Sequence, residues 1–217
     1  MKTVIIFGGS GFVGRHIIRR LVKKAYKIII PYQQPTNEAK LRHFGSIGQV
    51  IPIKYFSVQD EIIIDIIQKS DVIINLKTMW QENRASFEAG IYQFNVDLVK
   101  IINKSNKKKP FLFFSGLGTD KNSMSKRTRM IAKSEDYIGN NCINSCIFRP
   151  GIILGSDDQF LKKILPLFKY SIFIPLFGTG NAKFQPVYID DIAKAIEKVV
   201  QKDLKGNNIF ELVGTDT

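Results

Sequence analysis

An apolar, β-branched run, Thr3–Phe7, passes without a linker into Gly8-Gly9-Ser10-Gly11-Phe12-Val13-Gly14-Arg15. The segment that follows, Phe12–Lys24, places Val13, Ile17, Ile18, Leu21 and Val22 on one face at helical spacing. A strand that ends in glycines and opens an amphipathic helix has few uses. Gly8 permits a tight turn, Gly11 lets a phosphate approach the backbone, and Gly14 lets the helix pack closely. The helix start then offers free N–H groups and the positive end of a dipole. The turn is therefore read as a pyrophosphate site. The alternative is a glycine turn that packs without a ligand.

The rest of the chain repeats the alternation. Strands are expected at Lys27–Tyr32, Val50–Ile53, Asp71–Leu76, Phe111–Ser115 and Ile143–Phe148, and helices at Ile62–Ile67, Arg84–Asn103 and Arg127–Ile138. Continuous apolar strands between helices imply a parallel sheet covered on both faces. The expected fold is α/β, a Rossmann-type doubly wound parallel sheet. Residues 1–150 form its dinucleotide-binding part. Residues 151–217 read as a reduced carboxyl-terminal lobe with a late helix (Ile189–Val200) and strand (Asn208–Val213) of the same domain, and a helix at Leu161–Phe168.

With 217 residues, 44% of them hydrophobic, the chain holds one sizeable α/β core and not two full domains. Its net charge of +13 suits attraction to phosphate, nucleic acid or an anionic membrane. The charge is scattered and no nucleic-acid signature accompanies it, so compositional drift is preferred and no nucleic acid is expected as partner. Cys142 and Cys146, placed in one strand, would have Cα atoms roughly 13 Å apart, too far for a disulfide. They lack the spacing and companions of a zinc site, and no metal is expected. Free buried thiols point to a reducing compartment.

No cleavable leader is read at the amino end. No stretch reaches roughly 18 uncharged apolar residues; the nearest, Leu161–Phe177, is broken by Lys162, Lys163 and Lys169. Its large apolar groups either line a substrate lobe or form a ridge that docks a membrane-protein complex. The expected location is a cytoplasmic or mitochondrial-matrix type compartment, with peripheral attachment to the inner membrane as one form of it.

Cofactor choice is read at the end of the second strand, where an acid binds the ribose 2′-OH of NAD. Pro31-Tyr32-Gln33-Gln34 holds no carboxylate, Arg15 follows the last glycine of the turn, and Lys40 and Arg42 lie downstream. This favours NADP(H), with NAD(H) as the alternative.

The Gly-x-x-Gly-x-x-Gly spacing resembles the extended and atypical short-chain dehydrogenase/reductase family. Four further segments agree: Asp71–Leu76 as its fourth strand, Asn95 in the next helix, Arg149-Pro150-Gly151 at the end of the sixth strand, and Phe184–Ala193 as a late strand-to-helix joint. The glycine segment and the Phe184-Gln185-Pro186-Val187-Tyr188 run are similar to one branch, the NAD(P)-binding accessory subunits of respiratory complex I and their bacterial relatives. The resemblance places Gly8, Gly11, Phe12, Val13, Gly14, Arg15, Tyr32, Leu76, Asn95 and Pro150 at the cofactor and Ser115 in the catalytic position that polarises a substrate oxygen.

The family's Tyr-x-x-x-Lys pair is missing. Aligning Glu135-Asp136 puts Arg127 at the tyrosine position and Ile131 at the lysine position. Lys133 is turned roughly 200° from Ile131 around a helix, and a reversed pair of Lys133 with Tyr137 would need a rebuilt loop. An arginine is a permanent cation, not a proton donor. Without the lysine, Asn95 is expected to make a structural hydrogen bond to nearby backbone. Only four residues follow Val213, which is read as a reduced lid. The expected function is an NAD(P)-binding, non-catalytic or weakly catalytic accessory role in a complex I-type assembly. The alternatives are an active NADP-dependent reductase or isomerase and a nucleotide-binding redox sensor.

Overall fold

The computed structural model describes residues 1–33, 38–83, 85–105, 108–158, 161–162, 165–166, 184–202 and 205–214. Six strands come first: β1 (Thr3–Phe7), β2 (Lys27–Tyr32), β3 (Val50–Lys54), β4 (Val72–Asn75), β5 (Phe111–Phe114) and β6 (Ser145–Pro150). They are connected through α1 (Phe12–Lys23), α2 (Glu38–Arg42), α3 (Glu61–Lys69), α4 (Phe94–Asn103) and α5 (Lys126–Asn141). Two short strands, β7 (Ile152–Leu154) and β8 (Pro186–Tyr188), precede α6 (Ile189–Lys202) and β9 (Asn207–Leu212).

The main sheet has the order β3-β2-β1-β4-β5-β6-β9 and every pairing in it is parallel. The strand order reverses between β1 and β4, which opens a crevice at their carboxyl ends. The two-residue period of the strands divides the core in two. Val4, Ile6, Ile28, Ile30 and Ile74 face α1 and α6, meeting Ile17, Ile18, Leu21, Ile192 and Ile196. Ile5, Phe7, Ile29, Ile73 and Phe113 face the other way, onto Ile63, Leu98, Met130 and Ile131 of α3, α4 and α5. Arg20 ties α1 to α6 through Asp190 at 3.0 Å and Glu197 at 3.2 Å.

Several local expectations are corrected. The helix expected over Arg84–Asn103 begins as a π-helical turn, Glu88–Gln93, before α4. Cys142 caps the end of α5 and only Cys146 lies in a strand; both are free and buried. The strand expected from Ile143 starts at Ser145. The pairing of β7 with β8 was not expected: it brings the residues after Pro150 against the joint leading into α6. The helix expected at Leu161–Phe168 and the apolar run to Phe177 lie outside the described residues, apart from Leu161, Lys162, Leu165 and Pro166. No helix among the described residues is long and apolar enough to cross a membrane.

Candidate dinucleotide crevice

The glycine turn explains itself through close contacts. Gly8 has φ +76°, and a Cβ there would stand 2.9 Å from the backbone of Leu76 and Lys77 at the end of β4. Leu76 is fixed by its N–H, which donates to Phe7 O at 2.9 Å. A Cβ on Gly14 would lie 2.4 Å from Gly9 O, so this glycine packs the helix against the turn itself. Gly11 differs. Its backbone is extended (φ −72°, ψ 178°), and an added Cβ would touch only Gly8 O, at 3.2 Å, with open space beyond. Gly11 is the N-cap of α1, no side chain caps that helix, and no acidic residue lies in its first turn. The free N–H groups and positive helix end are thus left without an internal anion, which fits a pyrophosphate.

The flanking residues have separate placements. Phe12 stacks edge-on with His16 at 5.4 Å, and its ring tip is 3.0 Å from where a Cβ on Gly155 would be. Val13 packs against the α1–α6 core. Arg15 reaches Asp157 at 3.7 Å, and Lys162 reaches the same carboxylate at 3.5 Å. These two cations, Lys162 first, hold the Asp157 carboxyl below its usual range. Pro150 ends β6, with its carbonyl accepting from Leu117 N–H at 2.9 Å. Gly151 follows because a Cβ there would collide with Gln185 O at 2.2 Å.

The end of β2 is not free of acid. Glu38, at the start of α2, accepts a hydrogen bond from the Tyr32 hydroxyl, and its other oxygen lies 3.4 Å from Arg42. The reading of Pro31–Gln34 missed it because it lies past those four residues. The available signal was a carboxylate four residues past that run, Glu38, with Arg42 at i+4.

Beneath the crevice, Asn75 and Asn95 are buried and bonded to each other. Asn75 Nδ2 donates to Asn95 Oδ1 at 2.8 Å, and Asn95 Nδ2 donates to Ile91 O at 2.9 Å, inside the π-helical turn. Asn75 Oδ1 accepts from Lys77 N–H at 3.0 Å. Asn95 therefore locks the turn onto the end of β4. Asn95→Leu is expected to cost about 1–3 kcal/mol, since it strands the Asn75 amide in the core. Chemical denaturation would measure it; a variant as stable as wild type would contradict this role.

The catalytic positions hold no acid–base pair. Arg127 Nε donates to Met79 O at 2.7 Å, Arg127 Nη2 donates to Thr78 Oγ1 at 2.9 Å, and the guanidinium covers the Trp80 ring at 4.1 Å. Ile131 is buried in the core at 5% exposure. Lys133 lies 6.0 Å over Tyr92, and Tyr137 meets the same ring edge-on, so this pair faces the π-helical turn. The Ser115 hydroxyl is 3.0 Å from that of Thr119, which donates to Gly116 O.

Sequence reading also missed Lys77. It follows β4, its Nζ donates to Gln33 Oε1 at 2.9 Å, and it lies 4.1 Å over the Phe94 ring. Burial lowers its pKa to about 8. Among the described residues, no three or more His, Cys, Asp or Glu side chains are grouped to hold a metal.

Residues 4–137 match the NAD dependent epimerase/dehydratase family. The chain belongs to that family. The expected kinship with short-chain dehydrogenase/reductases is thereby shown. Among curated relatives of this epimerase/dehydratase chain, NADH dehydrogenase [ubiquinone] 1 alpha subcomplex subunit 9 of Arabidopsis thaliana is 30% identical over 97% of this chain. Its counterpart in Rattus norvegicus is 28% identical over 96%. The photosystem II assembly factor Ycf39 of Cyanophora paradoxa is 25% identical over 98% of this chain and 64% of its own length. The chain spans 53% and 56% of the first two, about half their length. Among solved structures, dTDP-glucose 4,6-dehydratase of Bacillus anthracis with NAD superposes with a TM-score of 0.78 at 18% identity. That superposition covers all of this chain and 76% of the other. A human epimerase family protein with NADPH gives 0.68 at 16%, covering 97% and 74%. These likenesses show the fold.

Proposed function

We propose that the chain is an NAD(P)-binding accessory subunit of a respiratory complex I-type assembly, binding its nucleotide for structure rather than turnover. One observation carries this reading. A phosphate-binding turn with an uncapped helix end adjoins catalytic positions filled by a pinned arginine, Arg127, and a core isoleucine, Ile131. The named relatives that are complex I subunits support the assembly role, by analogy. The cofactor residues are proposed to be Gly8, Gly11, Phe12, Val13, Gly14, Arg15, Tyr32, Leu76 and Pro150, with Asn95 acting from beneath by holding the end of β4 in place. Ser115 would be the remaining substrate-facing hydroxyl.

A nicotinamide bound here would supply hydride. The chain supplies no proton to match it at the family's positions, because Arg127 stays charged and Ile131 has nothing to donate. NADP(H) is the preferred nucleotide, since Arg42 already offsets the Glu38 carboxylate at the end of β2 and Arg15, Lys40 and Lys77 are cations of the crevice and its border. Attachment to a membrane partner on the inner-membrane surface is part of the same proposal, with Leu161–Phe177 as the segment to test.

The experiment follows the absorbance of NADPH with aldehydes, ketones and nucleotide sugars added to purified protein. Oxidation at the background rate is expected, under conditions where calorimetry shows the nucleotide bound. Sustained turnover would overturn the accessory reading in favour of an active reductase.

A further inference from the structure

Three carboxyl-terminal strand ends are linked by one chain of hydrogen bonds. Lys77, after β4, donates to Gln33, after β2; Gln33 Nε2 donates to Phe56 O, after β3, at 2.8 Å. The backbone N–H of Phe56 in turn donates to Asp60 Oδ2 at 2.8 Å. The bridge crosses the part of the crevice where a doubly wound sheet receives the adenosine half of a dinucleotide. The backbone of Lys77 also forms the wall against which Gly8 turns.

The Lys77 ammonium is placed at this point with its charge uncompensated. It lies 4.1 Å over the Phe94 ring, and no carboxylate among the described residues is within ion-pair reach of it. The neighbouring charges are engaged elsewhere. Glu38 takes Tyr32 and Arg42, Asp60 takes the backbone of Phe56 and Ser57, Lys54 lies over Phe56, and Arg127 is bound to Met79 and Thr78. An ammonium has three donors, and one is spent on Gln33. A half-buried cation with donors to spare at the end of β2 is an anion-binding arrangement.

We propose that Lys77, oriented by Gln33, is the group that reads the 2′-phosphate of NADP(H) in this crevice. The assignment rests on the dinucleotide reading above and sharpens it. Gln33 decides between the phosphates of the nucleotide: it holds the ammonium at the end of β2, the strand end that reads the ribose 2′ position, and away from the glycine turn. Arg15 is the weaker candidate, because Asp157 already engages it. The lowered pKa of Lys77 adds a signature. Affinity that depends on its charge holds below about 8 and falls above it. A phosphate monoester keeps both charges there, since its second pKa is about 6.

The test is calorimetric titration of wild type and Lys77→Met with NADPH and with NADH, from pH 7 to 9. Wild type is expected to lose about tenfold in NADPH affinity across that range. Lys77→Met is expected to lose roughly 10- to 100-fold for NADPH at pH 7, to keep its NADH affinity, and to show no further fall by pH 9. Unchanged NADPH affinity, an equal loss for both nucleotides, or a persisting pH slope in the variant would overturn the assignment. In those outcomes wild type still binds, so the dinucleotide reading survives. Wild type that binds neither nucleotide would overturn both.

Discussion

Gly11→Val is expected to lower dinucleotide affinity by at least about 100-fold, or about 2.7 kcal/mol, and to leave the fold standing. The two halves of that result have separate causes. The φ of −72° and extended ψ at Gly11 suit a β-branched residue, and the new Cβ meets only Gly8 O at 3.2 Å. The fold therefore has little to relieve. The rest of the valine side chain projects into the open space beside the N–H groups of α1, where a pyrophosphate has to approach. Calorimetry with either nucleotide, together with a thermal melt, separates the two halves. Unchanged affinity would remove the turn from the account. The same substitution at Gly14 would not be informative, because its Cβ falls 2.4 Å from Gly9 O and the helix itself would have to move.

The largest stability effect is expected at Arg149. Its Nε and Nη2 meet the two oxygens of Glu135 at 3.1 and 2.6 Å, and Glu135 is 6% exposed. Arg149 also reaches Glu211 of β9 at 3.6 Å, so one guanidinium ties α5, β6 and β9 together. Arg149→Met leaves a carboxylate in the interior without its partner. The expected cost is about 3 kcal/mol, which lowers the melting temperature of a domain this size by roughly 6–12 °C. Glu135→Gln combined with Arg149→Met is expected to recover part of that loss, because the orphaned charge is gone. A single variant within about 0.5 kcal/mol of wild type in chemical denaturation would show that the pair contributes little.

The doubly wound sheet was legible because β1, β2 and β4 are unbroken apolar runs, and β1 and β4 are each followed by a helical stripe. The turn was legible because three glycines at fixed spacing stand between a strand and a helix. What escaped notice was set by tertiary contacts. β7 and β8 are three residues each, too short for any period, and are strands only because each finds the other. The π-helical turn before α4 leaves the apolar pattern of a single helix nearly intact, and the Asn75–Asn95 bond that ties it to β4 joins residues 20 apart. In the sequence Lys77 is one lysine among many and belongs to no motif. Its stacking on Phe94 and its bond to Gln33, 44 residues away, exist only in the folded chain. Glu38 was passed over because the β2 end was read four residues deep. At the catalytic positions the sequence carried more: Arg127 and Ile131 already stood where tyrosine and lysine were wanted, and the structure adds that Arg127 is tied to the loop after β4.

The central claim is that the crevice above β1 and β4 holds a dinucleotide through the Gly8–Gly14 turn without serving turnover. The most direct measurement is titration of the purified chain with NADPH at low salt, read by calorimetry, with the nucleotide recovered afterwards and its oxidation state determined. The account requires saturable binding at one site per chain, lost in Gly11→Val, with the nucleotide recovered still reduced after incubation with carbonyl substrates. No heat of binding for NADPH or NADH, or recovery of oxidised nucleotide in amounts exceeding the protein, would contradict it.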